Sequence, residues 1–332
     1  MGWYQAVGSR VSFALDPETA HHLAEWLLGL PLPWEPIGGR AGADPALAVT
    51  LAGVELRNPI GLAAGFDKTC ARMTPLGRLG FGHVVGGTVT LAPRPGNPRP
   101  RIARDRRHRA LVNAMGLPNP GAAEVAATLA RSPRTTSRWV SLADEAVDDV
   151  VAAFDLLAPH VAAVELNASS PNAGWEHLAG HVGTIVRELA ARGGPPVFVK
   201  VPPPARTGGV LAMAEGAVAA GAAGLVVSNT IPVSDRRMST GRGGLSGAPL
   251  WPGTCDGVRA VRDATAAAVP IVACGGIATS DHVVAALQAG ATAIQLYTAL
   301  VYDGPGVPGT LVRGLSRHLR ATGRTLSSLA TA

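Results

Sequence analysis

The sequence contains 332 residues with a formal net charge of +6, of which 47% are hydrophobic and 16% are charged. This length allows one large domain with a sizeable core. No apolar run reaches the roughly 18 residues that a membrane-spanning helix requires. The three cysteines form no CxxC pair, which argues against a disulfide framework or a zinc site. The N-terminus has no basic segment followed by a continuous apolar one, so we expect no secretory signal.

The first 45 residues are predicted to form a small helical extension, followed by the main domain at 46–332. Asp16, Pro17 and Glu18 are typical of a helix start. Leu23, Trp26, Leu27 and Leu30 then fall on one helical face. This apolar stripe has two interpretations that the sequence leaves open. It packs as a lid against the main domain, or it lies in a membrane interface.

Eight short apolar or β-branched runs alternate with helical patterns in the main domain. The strand predictions are 59–66, 83–90, 138–143, 161–168, 196–202, 224–230, 270–275 and 293–299. The helix predictions are 71–79, 121–131, 144–157, 176–192, 209–221, 254–267, 279–289 and 308–321. This alternation predicts an α/β fold, a (β/α)8 TIM barrel. A doubly wound sheet is disfavoured because no G-x-G-x-x-G opens the first helix.

Polar residues follow the predicted strands, where a barrel carries its active site. They include Asp67, Lys68, Thr88, Asn167, Asn172, Lys200, Asn229, Thr230, Tyr297 and Thr298. Lys68 and Lys200 are the only lysines among 29 Lys and Arg residues. An ammonium differs from a guanidinium in reach, hydration and tunable pKa. We therefore interpret both lysines as functional candidates.

Glycine-rich segments suggest where a phosphate binds. Gly275 and Gly276 follow strand seven, and Tyr297 and Thr298 follow strand eight, the loops that bind phosphate in many barrels. GGLSG at 243–247 is predicted to be a further glycine-rich loop. The sequence contains no G-x-S-x-G elbow and no H-E-x-x-H motif, so serine hydrolysis and a catalytic metal are not expected.

The segment 92–109 concentrates seven arginines. Binding to single-stranded nucleic acid favours aromatic side chains among the cations, and this segment has none. We therefore expect no nucleic-acid partner. Two interpretations of this segment remain: it contacts anionic lipid, or it is a structural loop held by salt bridges.

Taken together, these motifs resemble the dihydroorotate dehydrogenases, in particular the quinone-dependent (class 2), membrane-associated members. The matching segments run in family order from about residue 15 to 300. They are LDPETAH (15–21), NPIGLAAGFDK (58–68), GTVT (87–90), RPGNPRPRIAR (94–104), NAMGLPNPG (113–121), NASSPN (167–172), VFVKVPP (197–203), SNT (228–230), GGLSG (243–247), CGGI (274–277) and QLYTAL (295–300).

The resemblance implies an enzyme of pyrimidine biosynthesis that uses FMN to oxidise dihydroorotate to orotate, with a membrane quinone as acceptor. It also implies peripheral association with the cytoplasmic side of the cell membrane. The family's FMN-binding positions match Ala64, Gly65, Phe66, Asp67, Lys68, Thr88, Ser141, Asn167, Lys200, Ser228, Gly247, Gly276, Tyr297 and Thr298. Its substrate-binding positions match Lys68, Asn113, Ala114, Met115, Gly116, Leu117, Asn167, Asn172, Asn229 and Thr230. The catalytic base matches Ser170.

Two positions depart from the family pattern. Ser141 stands where an asparagine that contacts FMN is usual, and Ala173 replaces a threonine after NASSPN. A paralogue with an altered substrate is therefore an alternative. A second alternative makes Lys200 the Schiff-base lysine of an aldolase-like barrel. A third is a catalytically silent barrel whose N-terminal stripe serves as a membrane or partner module.

Overall fold

The computed structural model describes residues 4, 8–39, 44–143, 146–168, 175–203 and 208–329. Eight parallel strands form a closed barrel in which neighbouring strands follow chain order and the last strand returns to pair with the first. A helix follows each strand and covers the outside of the barrel. The predicted TIM barrel is confirmed, and each of the eight strands overlaps its predicted range.

The barrel strands are β3 (Ile60–Leu62), β4 (His83–Val89), β7 (Ser137–Leu142), β8 (Ala163–Asn167), β9 (Val197–Val201), β10 (Gly224–Val227), β13 (Ile271–Cys274) and β14 (Ala293–Leu296). The helices that follow them are α4 (Met73–Arg78), α5 (Ala122–Arg131), α6 (Val147–Leu157), α7 (Trp175–Arg192), α8 (Gly208–Ala219), α9 (Trp251–Ala264), α10 (Ser280–Gln288) and α12 (Val307–Thr322). Two shorter helices, α11 (Thr298–Asp303) and α13 (Leu326–Leu329), lie before and after α12.

The barrel interior has an apolar floor below its polar mouth. Val85, Trp139 and Phe198 pack there in one buried cluster. Leu51 and Leu56 join this cluster from a hairpin of β1 (Val49–Leu51) and β2 (Val54–Leu56), which closes the amino-terminal end of the barrel. The main core lies between the barrel and its helices. This arrangement leaves the carboxyl ends of the strands as the accessible end, where barrel enzymes place their sites.

A four-stranded antiparallel sheet stands beside the mouth, in the order β11-β12-β6-β5. Its strands are β5 (Ile102–Asp105), β6 (Ala110–Asn113), β11 (Ile231–Ser234) and β12 (Arg242–Gly247). The prediction of a loop at 243–247 is therefore wrong, because this segment is the central strand β12. A Cβ on Gly244 would lie 2.1 Å from Thr230 Oγ1, so glycine lets the chains approach closely.

The described residues of the N-terminal extension contain three helices: α1 (Ser9–Ala14), α2 (Pro17–Leu28) and α3 (Trp34–Ile37). Helix α2 begins as predicted, with the Asp16 carboxylate accepting from the backbone N–H groups of Glu18 and Thr19. Leu23, Trp26 and Leu27 are exposed, so the stripe does not pack against the barrel as a lid. In the described part, no helix is long and apolar enough to cross a membrane.

The arginine-rich segment is held by salt bridges to the extension and the barrel. Arg99 and Arg101 both bind the buried Glu18 of α2, with the shortest N–O distance at 2.7 Å. Arg104 donates to the Leu15 carbonyl, and Arg109 pairs with Asp303 at 2.6 Å. These contacts support the interpretation of a structural loop for four of its seven arginines.

Candidate active site

A hydrogen-bonded row of polar side chains crosses the barrel mouth. The hydroxyls of Thr88 and Ser141 lie 3.0 Å apart, at the ends of β4 and β7. The Asn167 amide donates to the Thr88 hydroxyl at 3.3 Å, and the Asn229 amide donates to the Asn167 carbonyl oxygen at 3.2 Å. The structure thus brings together four predicted site residues. Such a row offers both donors and acceptors to a ring of amide and carbonyl groups.

Lys200 lies at the end of β9, just below this row, and is almost fully buried. Its Nζ is 3.3 Å from Oε1 of Glu165 on β8. Burial is the largest single influence and disfavours the ammonium, but the Glu165 carboxylate and Cys274 together raise the pKa of Lys200 above its usual range. Lys200 therefore presents a cation to the barrel mouth.

Two glycines form a backbone cradle on one side of the mouth: Gly247, the last residue of β12, and Gly276, which follows β13. A Cβ on Gly276 would lie 2.5 Å from the Trp251 backbone nitrogen, and one on Gly247 would lie 2.9 Å from Thr298 Cγ2. Both glycines have positive φ angles, of +66° and +99°. The Thr298 hydroxyl lies 2.9 Å from the Ser246 hydroxyl. Closely spaced backbone groups with hydroxyls suit a phosphate.

The segment after β3 approaches the mouth with small residues. The Gly65 N–H donates to the Gly87 carbonyl, and a Cβ on Gly65 would lie 3.6 Å from the Tyr297 ring. Ala64 precedes it, which leaves this backbone free of bulky side chains. The Asp67 carboxylate is fully buried and accepts from the backbone N–H groups of Ala71 and Arg72. Burial raises the pKa of Asp67 to about 6.

Lys68 connects the barrel mouth with helix α2. Its Nζ lies 3.1 Å from His21 Nε2, which in turn lies 3.3 Å from Glu25 Oε1. The His21 ring also packs edge-on against Phe66, and Phe66 packs against Tyr297. Burial lowers the pKa of Lys68, and the Glu25 carboxylate partly opposes this shift. A substrate carboxylate beside Lys68 would strengthen the charged form.

The antiparallel sheet supplies the opposite wall. The Asn113 amide donates to the Gly244 carbonyl at 3.3 Å, and Thr230 contacts the other side of Gly244. Residues 114–117, predicted to bind substrate, follow Asn113. Asn97 of the arginine-rich segment holds them in place. Its backbone N–H donates to the Met115 carbonyl, and its side-chain amide donates to the Ala114 carbonyl.

Comparison with known proteins agrees with this geometry. A sequence model of the family described as dihydroorotate dehydrogenase matches residues 46–319. The chain belongs to the dihydroorotate dehydrogenase family.

Similar relatives include the dihydroorotate dehydrogenase (quinone) of Erythrobacter litoralis, which is 38% identical over 93% of this chain and 94% of the relative. The protein of the same name from Deinococcus deserti is 39% identical over 96% of both chains. Among solved structures, DHODH from Eimeria tenella in complex with ferulenol superposes with a TM-score of 0.84 and 29% identity, covering 95% of both chains.

Two predicted residues of this family's site, Ser170 and Asn172, lie outside the described residues. The remaining predicted residues all fall at the mouth or on the adjoining sheet. Sequence reasoning missed two side chains that contact predicted ones, His21 beside Lys68 and Glu165 beside Lys200. It also missed Gln295, which donates to Glu165. Glu165 was detectable as a lone acid within an apolar strand, a position that requires a partner.

Proposed function

We propose that this chain oxidises dihydroorotate to orotate with FMN and passes the electrons to a quinone, as a step of pyrimidine biosynthesis. The observation that carries this proposal is the polar row of Thr88, Ser141, Asn167 and Asn229, with Lys200 below it and Lys68 beside it. Family membership supports the reaction, since relatives named dihydroorotate dehydrogenase (quinone) match nearly the whole chain.

The residues at the mouth fit FMN. The cradle of Gly247, Gly276 and Thr298 would hold the phosphate, because both glycines let neighbouring backbone groups approach closely, and a Cβ at either position would clash with protein atoms. The small residues Ala64 and Gly65 would lie against the flat ring. Phe66, Asp67, Lys68, Thr88, Ser141, Asn167, Lys200, Ser228 and Tyr297 would surround its edges. Bound there, FMN supplies the acceptor for the hydride that leaves C6 of dihydroorotate.

The substrate would lie between the polar row and the antiparallel sheet. The Lys68 ammonium would bind the carboxylate, because charge-assisted hydrogen bonds are the strongest available. Asn113, Asn167, Asn172, Asn229 and Thr230 would bind the ring amides and carbonyls, and residues 114–117 would close the site. Ser170 would accept the proton from C5, relaying it to water or a neighbouring polar group, since a hydroxyl alone is a weak base.

Helix α2 is suited to deliver the quinone from a membrane. Trp26 is 60% exposed and Val11 of α1 is 54% exposed, with Leu23, Leu27 and Leu32 nearby in sequence. Large exposed apolar side chains on adjacent helices are typical of an interfacial surface. The polar face of α2 meets the barrel through His21 and Lys68. We infer peripheral association with the cytoplasmic face of the cell membrane, which this surface and the quinone acceptor support.

The Schiff-base alternative at Lys200 is disfavoured. A nucleophilic amine must lose its proton before it attacks a carbonyl. The Glu165 carboxylate instead raises the pKa of Lys200 and keeps it charged.

A pair of neighbouring serine variants tests the assigned base. Ser170→Ala is expected to retain FMN and to bind dihydroorotate, but to lose flavin reduction by at least about 100-fold, the usual contribution of a positioned base. Stopped-flow absorbance under anaerobic conditions measures this rate. Ser169→Ala is the matched control and is expected to reduce FMN at the unmodified rate. Equal rates in Ser170→Ala and the unmodified protein would overturn the assignment.

A further inference from the structure

A charged group lies inside the barrel, directly beneath the predicted flavin site. The Glu165 carboxylate is fully buried between two side chains. Its Oε1 lies 3.3 Å from Lys200 Nζ, and its Oε2 accepts from the Gln295 side-chain amide at 3.1 Å. The three side chains come from strands β8, β9 and β14. We refer to Glu165, Lys200 and Gln295 as the interior triad.

Stability does not account for the interior triad. Taking a carboxylate and an ammonium out of water costs several kcal/mol for each ion, and apolar residues of similar volume often serve a buried site as well or better. The floor of the barrel, by contrast, is filled by apolar side chains, among them Val85, Trp139 and Phe198. A buried carboxylate beside the lysine that faces the cofactor therefore calls for a functional reason.

We propose that Glu165 is a positioning residue that lowers the reduction potential of the bound flavin by offsetting the positive charge of Lys200. This inference rests on the proposed function and on assigning Lys200 to the N1 and O2 edge of FMN, where its ammonium would meet the charge that reduction places there. Gln295 holds the second carboxylate oxygen, so that the first stays directed at Lys200.

The direction of the effect follows from charge balance. Reduction of FMN by two electrons and one proton leaves a negative charge on the N1 and O2 edge. A cation beside this edge stabilises the reduced form and raises the reduction potential. A carboxylate 3.3 Å from the cation cancels part of its field, and burial strengthens this interaction. The pair therefore presents less net positive charge to the flavin than Lys200 alone.

A change in the flavin potential affects the two half-reactions, flavin reduction by dihydroorotate and flavin oxidation by quinone, in opposite directions. A lower flavin potential makes electron transfer to the quinone more favourable and electron uptake from dihydroorotate less so. Glu165 thus acts on the balance between the two half-reactions without contacting either substrate. Its contribution is separable from simple barrel stability because a structural role would leave the potential unchanged.

The test is the reduction potential of FMN in the purified holoenzyme, measured by equilibrium titration against a reference dye. Glu165→Gln keeps the shape and hydrogen-bonding capacity of the side chain but removes its charge. In the reduced variant, the negative charge of reduced FMN would take the place of the carboxylate beside Lys200 and keep its ammonium protonated. We expect this variant to favour reduced over oxidised FMN about tenfold more strongly than the unmodified protein does. This change corresponds to a rise in the reduction potential of about 30 mV for a two-electron couple. Val85→Ala is the control, since it removes volume from the barrel interior but no charge, and its potential is expected to stay unchanged.

A second variant covers a failure of Glu165→Gln to fold or to bind FMN. Glu165→Asp keeps the charge but withdraws it from Lys200 by one methylene, and it is expected to raise the potential by a smaller amount. An unchanged or lowered potential in whichever variant binds FMN would overturn the inference. Unmodified protein that binds no FMN would instead refute the proposed function, which keeps the two failures distinct.

Discussion

His83 provides a quantitative test of the barrel floor. It begins β4, is fully buried, and stacks on Trp139 with ring centroids 4.6 Å apart. Within the described part of the chain, neither ring nitrogen has a hydrogen-bond partner. Burial lowers the pKa of His83 from 6.5 to about 3. The imidazole is therefore neutral in the folded protein across the physiological range.

This shift makes stability depend on pH in a defined direction. Between about pH 6.5 and pH 3 the unfolded chain binds a proton at His83 that the folded chain excludes. The stability contributed by the neutral ring is fully present above pH 6.5 and is lost as the pH falls towards 3. Each pH unit below 6.5 lowers the free energy of unfolding by about 1.4 kcal/mol, so the loss at pH 5 is about 2 kcal/mol.

The variant His83→Phe keeps an aromatic ring on Trp139 but cannot be protonated. Its free energy of unfolding, relative to the unmodified protein, is expected to rise by about 2 kcal/mol between pH 7 and pH 5. Urea denaturation followed by circular dichroism at pH 7, 6 and 5 measures this difference. A difference that is the same at all three pH values would show that His83 titrates with its ordinary pKa, and would refute the argument from burial.

Three further substitutions test the remaining parts of the site. Trp26→Asp should abolish flotation with lipid vesicles and slow quinone reduction, while dihydroorotate still reduces the flavin. Unchanged flotation would exclude α2 as the membrane surface. Gly276→Val should lose FMN, seen as a lowered ratio of flavin to protein absorbance, because its side chain would meet the Trp251 backbone; a full flavin content would place the phosphate elsewhere. Lys68→Met should raise KM for dihydroorotate at least about tenfold through loss of a charge-assisted hydrogen bond, and an unchanged KM would remove Lys68 from the substrate site.

Much of the barrel was predictable because its signals are local. Strands such as β4 and β9 are short apolar runs bounded by glycine or proline, and the ranges 83–90 and 196–202 overlap them. The rim residues followed from the rule that parallel strands place their carboxyl ends together. Asn167 and Asn229, 62 residues apart in sequence, bond to each other as this rule implies.

The features that sequence reasoning missed depend on long-range partners. Strand β12 is rich in glycine, and its pairing with β6 and β11 is specified by close backbone approach rather than by side chains. The apolar stripe of α2 was evident in the sequence, but the stripe does not indicate how the helix is oriented. Glu18 and His21 fix that orientation, and their partners Arg101 and Lys68 lie far along the chain. Glu165 stands out as a lone acid in its apolar strand, but its partners Lys200 and Gln295 lie 35 and 130 residues away, so its role could not be predicted locally.

If this chain transfers electrons from dihydroorotate to a quinone through bound FMN, both half-reactions are visible in the flavin spectrum. The most direct measurement is an anaerobic absorbance titration of the purified protein, first with dihydroorotate and then with a soluble quinone. We expect a flavin spectrum that one equivalent of dihydroorotate bleaches and that quinone restores. A flavin that dihydroorotate leaves oxidised, or a protein without flavin absorbance, would contradict it.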